Sequence, residues 1–125
     1  MFVYQQEDGS VAVCSLVSSV PAGAQYIETT NAPEDKLFRS AWELGADSIT
    51  TNMGKAKEVA HSMRRNRRDE LFKPLDVEAT IPSKANAAEA AREDIRVFDA
   101  TLQIAIDGKQ KESTLRALLE SEGLI

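Results

Sequence analysis

The sequence predicts an α+β protein: a small antiparallel β-hairpin head, then a long antiparallel helical hairpin and a short C-terminal helix. Three observations predict it. Two turn signals, Asp8-Gly9 and Gly45-Ala46-Asp47, each lie between runs that alternate apolar and polar residues. From Asn52 the apolar period changes to three and four, the period of a helix face. Ile81-Pro82-Ser83 then breaks that period near its middle. A β-rich head with one short helix is therefore expected over 1–51, and a helical arm over 52–125.

Within the head, Phe2-Val3-Tyr4-Gln5-Gln6 and the run Val11 to Val17 are rich in β-branched and aromatic residues. Glycine at position 9 accepts positive φ without steric cost, so Glu7-Asp8-Gly9-Ser10 reads as their turn. Pro21-Ala22-Gly23 ends the pattern, and Gln25 to Thr29 reads as a third short strand. Pro33 suits a first helical turn, and Leu37, Phe38 and Ala41 predict a short helix or 3₁₀ turn across Glu34 to Ser40. Trp42-Glu43-Leu44 and Ser48 to Thr51 make the second hairpin. Trp42, Phe38 and Tyr26 are the expected head core. A unit of about fifty residues buries little surface and is marginal alone.

The arm begins at Asn52, whose side-chain oxygen suits an N-cap. Met53, Ala56, Ala60, Met63, Arg67, Leu71 and Pro74 follow at helical steps, and Pro74 is expected to kink or end the helix. Ser83 is the expected cap of the next helix. There Ala88, Ala91, Ile95, Phe98, Leu102 and Ala105 alternate by three and four, the spacing of a coiled-coil seam. Val97, Thr101 and Ile104 widen it, which gives this helix two contact faces. Gly108 ends it by the glycine rule for helix C-termini. Ser113 or Thr114 is expected to cap a last helix bearing Leu115, Leu118 and Leu119, closed by Gly123. The two facing stripes are thin in apolar volume, so the arm reads as a surface for a partner or a second copy; the alternative is a compact monomer covering its own stripe.

Composition is that of a soluble globular chain: 125 residues, 42% hydrophobic and 28% charged. A net charge of -5 supplies no general attraction to nucleic acid or to an anionic membrane. Cys14, among Val11, Val13 and Val17, reads as a strand residue. No apolar run approaches the ~20 residues of a membrane span, and no signal peptide is expected, so the reading is soluble and intracellular. His61, the only histidine, has no metal-ligand spacing to Cys, Asp or Glu and is read as a surface residue. Asp69 with Glu70, and Asp76 with Glu78, are ordinary carboxylates of a charged helix. No catalytic residue, metal site or cofactor is predicted, and an enzyme is not expected.

Arg64-Arg65-Asn66-Arg67-Arg68 invites an RNA reading, but Asp69 and Glu70 follow at once and no aromatic interleaves for base stacking. In an antiparallel hairpin this run lies opposite Asp94 to Asp99, so Glu93, Asp94 or Asp99 is expected to pair with Arg64, Arg65 or Arg68 and set register.

A resemblance adds a setting. Pro33-x-Asp35-x-x-Phe38-Arg39-x-Ala41-Trp42, a hairpin, and then Asn52-Met53-Gly54-Lys55-Ala56-Lys57 resemble the small tail assembly chaperones of tailed bacteriophages. The likeness continues through the arginine run and Lys73 to Glu78, as far as Leu102 to Asp107. Leu37 and Gly54 depart from the family pattern. The resemblance implies a non-enzymatic protein that binds tail, baseplate or tail-fibre components in the host cytoplasm during assembly. Ile95, Phe98, Leu102, Ala91, Met63, Arg64 and Arg68 are the expected partner-binding residues. Two other classes stay open: a permanent tail or baseplate subunit of the virion, and an RNA-binding regulator using the arginines.

Overall fold

In a computed structural model the described residues are 1–29, 36–46 and 48–125. The fold is α+β: small antiparallel sheets, two long helices and a short last helix. The chain divides into two compact units, Met1–Ala56 and Lys57–Ile125.

The head holds β1 (Phe2–Gln5), β2 (Val11–Cys14) and β3 (Tyr26–Glu28) in the order β2-β1-β3. The β1–β2 turn closes as the sequence requires. Gly9 takes φ 86°, its N–H donates to the Gln6 carbonyl at 3.0 Å, and the Gln6 N–H donates to the Ser10 carbonyl at 2.7 Å. Ser10 donates its N–H to Asp8 Oδ1 at 2.9 Å. The second strand is shorter than expected. It ends at Cys14, and Val17–Ser19 forms a 3₁₀ turn instead. A second sheet pairs β4 (Trp42–Leu44) with β5 (Ile49–Thr51). The 3₁₀ turn before it covers Arg39–Ala41; the part of the expected helix over 34–35 lies outside the described residues.

The core of the first unit is Val3, Val11 and Trp42, with Ile27, Leu44 and Ile49 packed against them. Phe38 is fully buried as well. Tyr26 is not a core residue: it is 50% exposed. The register explains why. Val3 faces Ile27 and Tyr4 faces Tyr26, and directly opposed residues share a face. Ile27 therefore goes with Val3 toward Trp42, while Tyr26 lies on the other face, edge-on to Phe2 at 6.1 Å.

Helix α1 (Met53–Glu78) starts where Asn52 caps it, the Lys55 N–H donating to Asn52 Oδ1 at 3.1 Å. It does not end at Pro74. Proline removes one donor, and the Glu70 carbonyl that loses it belongs to an exposed residue with water at hand. Helix α2 (Ala85–Asp107) has Lys84, not Ser83, at its N-cap position, and no side chain caps it. The Lys84 N–H donates to the Ile81 carbonyl at 2.9 Å, and this tight turn starts the helix after Ser83 has been passed. Gly108 follows α2 with φ -77°, a conformation open to any residue, so its role needs no left-handed backbone. Helix α3 (Glu112–Ser121) has Lys111 at its N-cap position, two residues before Ser113 and three before Thr114, so neither caps it; the Thr114 hydroxyl donates back to the Lys111 carbonyl at 2.9 Å. Gly123, with φ 70°, does close it in the left-handed region.

The helices α1 and α2 run antiparallel, as their cross-contacts show: Arg92 reaches Asp76, Arg96 lies over Phe72, Asp99 meets Arg68 and Arg64, and Asp107 meets His61. Later residues of α2 meet earlier residues of α1. The buried line of α2 is Ala88, Leu102 and Ile106, with Ile95 half-buried. A straight helix drifts ~20° per heptad from a strict 3.5-residue repeat, which moves the line from Ala105 to Ile106. Phe98, expected on that line, is 48% exposed.

Candidate functional site

Helices α1 and α2 bound a shallow cleft of only about 20 Å³, lined by Arg64, Arg67, Arg68, Leu71, Ile95, Phe98, Asp99 and Leu102. Helical spacing places these residues. Arg64, Arg67, Arg68 and Leu71 recur by three and four on α1, as do Ile95, Phe98 and Leu102 on α2. Leu102 forms the floor at 5% exposure, while Leu71 and Phe98 form open walls at 44% and 48%.

Of the seven residues expected to bind a partner, five line this cleft: Ile95, Phe98, Leu102, Arg64 and Arg68. Met63 and Ala91 do not; both are half-buried elsewhere on their helices. Arg67, Leu71 and Asp99 complete it and were not singled out as site residues by sequence. Arg67 and Leu71 belong to the α1 stripe, so their spacing carried the signal; Asp99 was signalled by its charge opposite the arginine run, as one of three candidate register partners.

Behind the cleft runs a polar chain. Arg64 is 6% exposed, and its Nη1 donates to both Asp99 oxygens at 2.8 and 2.7 Å. Its Nε donates to His61 Nδ1 at 3.2 Å. That nitrogen must then carry a lone pair, so the proton sits on Nε2, which donates to Asp107 Oδ1 at 2.7 Å. His61 is therefore no free surface residue: its side chain is 14% exposed and it bridges the two helices. The chain runs from one carboxylate to another, Asp107 to Asp99, and orders the side chains between the two helices.

Comparison with known proteins finds no match: no family model, curated protein or solved structure matches this chain.

The arginine run is divided by its surroundings. Arg68 Nη1 reaches the same Asp99 at 3.4 Å, and its Nε lies 3.6 Å from Asp69. Arg67 donates to the Glu122 backbone carbonyl. Arg65 is exposed and donates to the Ser62 hydroxyl at 3.3 Å. Glu93 pairs instead with Arg96 on its own helix, at 3.0 Å, so Asp99 carries the expected register contact. Farther along α2, Arg96 also takes Glu89 at 2.9 Å; that bond, with the nearby Arg96 and Arg92 charges, holds the Glu89 carboxyl below its usual range. Among the described residues no group of three His, Cys, Asp or Glu is placed to hold a metal ion, and no helix is long and apolar enough to cross a membrane.

Proposed function

We propose that this chain is a non-enzymatic tail-morphogenesis protein of a tailed phage or prophage, an assembly chaperone whose helical arm covers an apolar surface of a tail, baseplate or tail-fibre component until that component assembles. The observation that carries the reading is the open cleft with Leu71 and Phe98 half out in solvent. A large apolar side chain left half-exposed beside buried apolar neighbours is a surface on which a partner gains burial without prior unfolding. The likeness of Phe38-Arg39-Ser40-Ala41-Trp42 and Asn52 to Lys57 to phage tail assembly chaperones supplies the setting.

Arg64 bears on the RNA alternative. It is buried and bonded to Asp99, so it does not face a phosphate backbone. Mass spectrometry of purified particles from a lysogen or infected culture tests the chaperone reading. The protein should be abundant in the lysate and absent from the particles. Stoichiometric presence in particles would replace the chaperone by a virion subunit.

A further inference from the structure

We infer that the outer face of the three-stranded sheet binds an extended, arginine-bearing segment of another protein. The site belongs to the first unit and does not rest on the proposed role of the arm.

Strand register assembles it. Phe2 and Tyr4 lie on one face of β1, while Val3 between them lies on the core face. Tyr4 stands opposite Tyr26, and Phe2 stands opposite Glu28, so three rings and one carboxylate share the outer face. Ala12 and Cys14 complete it on β2. Tyr26 is 50% exposed, and the Phe2 ring meets it edge-on with centroids 6.1 Å apart. Glu28 is exposed and has no hydrogen bond or ion pair among the described residues.

Charge selects the occupant. Residues 1–56 carry seven carboxylates against three cations, and no cation stands at any of these face positions. A guanidinium is attracted to the negative face of an aromatic ring and also pairs with a carboxylate through two N–H groups. Arginine offers both in one planar group, which the compact ammonium of lysine does not. A neutral apolar segment would desolvate Glu28 without compensation, and a nucleic-acid backbone would meet like charge. Spacing fits as well. Residues two apart on a strand are ~6.6 Å apart, so arginines at i and i+2 of an extended segment reach the Tyr4–Tyr26 row and the Phe2–Glu28 row together.

The test uses two synthetic peptides, acetyl-Gly-Arg-Gly-Arg-Gly-amide and its counterpart with the uncharged isostere citrulline at both arginines. Each is titrated into the full chain and followed by the ring NMR signals of Phe2, Tyr4 and Tyr26. The arginine peptide should shift these signals with a dissociation constant on the order of 1 mM. It should bind at least about threefold more tightly than the citrulline peptide, with the preference falling as salt rises. Glu28→Gln should remove most of the preference, and Tyr26→Ala should weaken the arginine peptide at least about twofold. Should Tyr26→Ala fail to fold, Glu28→Gln and the salt dependence of wild type decide.

Equal binding of the two peptides, or no ring shift up to about 10 mM, overturns the inference. So does an oligothymidylate that shifts the same rings more strongly than the arginine peptide, which would make nucleic acid the occupant. Ring shifts on concentrating the protein without peptide would overturn it in favour of a second copy.

Discussion

Asp99→Ala removes the carboxylate that holds Arg64 Nη1 through both its oxygens, at 2.7 and 2.8 Å. Arg64 is 6% exposed. Its other contact is with the neutral Nδ1 of His61, which does not offset the charge. Breaking a buried pair from one side costs ~3–5 kcal/mol. Asp99 itself is 13% exposed, so some water reaches the gap and the lower end, ~3 kcal/mol, is expected. For a domain of this size that is a fall in melting temperature of about 12–24 °C. The opposite change is milder. After Arg64→Leu, Asp99 keeps Arg68 at 3.4 Å and some solvent, so the cost should be ~1–2 kcal/mol. The double variant Arg64→Leu/Asp99→Leu should return near wild type, because apolar groups often replace a buried pair without loss. Urea unfolding followed by far-ultraviolet circular dichroism measures all three. A cost below about 1 kcal/mol for Asp99→Ala, or a larger cost for Arg64→Leu, would refute the reasoning.

Further outcomes follow from other sites. Trp42 is 1% exposed, so the native protein should show the blue-shifted fluorescence of a buried indole, and Trp42→Ala should cost ~3–5 kcal/mol in the first unit while helical circular dichroism largely persists. Emission at the wavelength of free tryptophan would contradict that placement. The Glu89 carboxyl, held low first by its bond to Arg96, has a folded pKa below the ordinary 4.5; its contribution is present above that value and is lost as pH falls through the folded pKa. Carbon NMR should therefore find Glu89 titrating below 4.5 and returning toward it in Arg96→Gln. Nitrogen NMR at neutral pH should find His61 protonated at Nε2 and bare at Nδ1, and the reverse tautomer would break the chain from Asp107 to Arg64.

What was legible in the sequence was what local chemistry decides. Asp8-Gly9 and Asn52 announce a turn and a cap through their own side chains or backbone freedom, and both hold. Ser83 does not cap, and Pro74 does not end its helix, because geometry beyond the residue decides both. A tight Ile81–Lys84 turn carries the helix start past Ser83, and an exposed Glu70 carbonyl tolerates Pro74. Tyr26 was misplaced because a three-residue strand has no alternation long enough to fix which face it buries; only pairing with β1 does. The cleft was half visible. Spacing gathered Ile95, Phe98 and Leu102, but the selection of Asp99 over Asp94 as the partner of Arg64 depends on interhelical register. The half-exposure of Phe98 depends on helical drift, and no residue type reports either.

The central claim is that the arm binds a tail component through the open wall of the cleft. Sedimentation velocity of wild type and Phe98→Asp, each with a candidate tail-fibre or baseplate protein, tests it most directly. Because Phe98 is 48% exposed, its replacement should cost less than about 2 kcal/mol and leave both units folded. The account predicts a faster-sedimenting complex with wild type and none with Phe98→Asp, whose circular dichroism is unchanged. A wild-type protein that sediments alone beside that component, or a Phe98→Asp protein that joins the complex equally well, would contradict it.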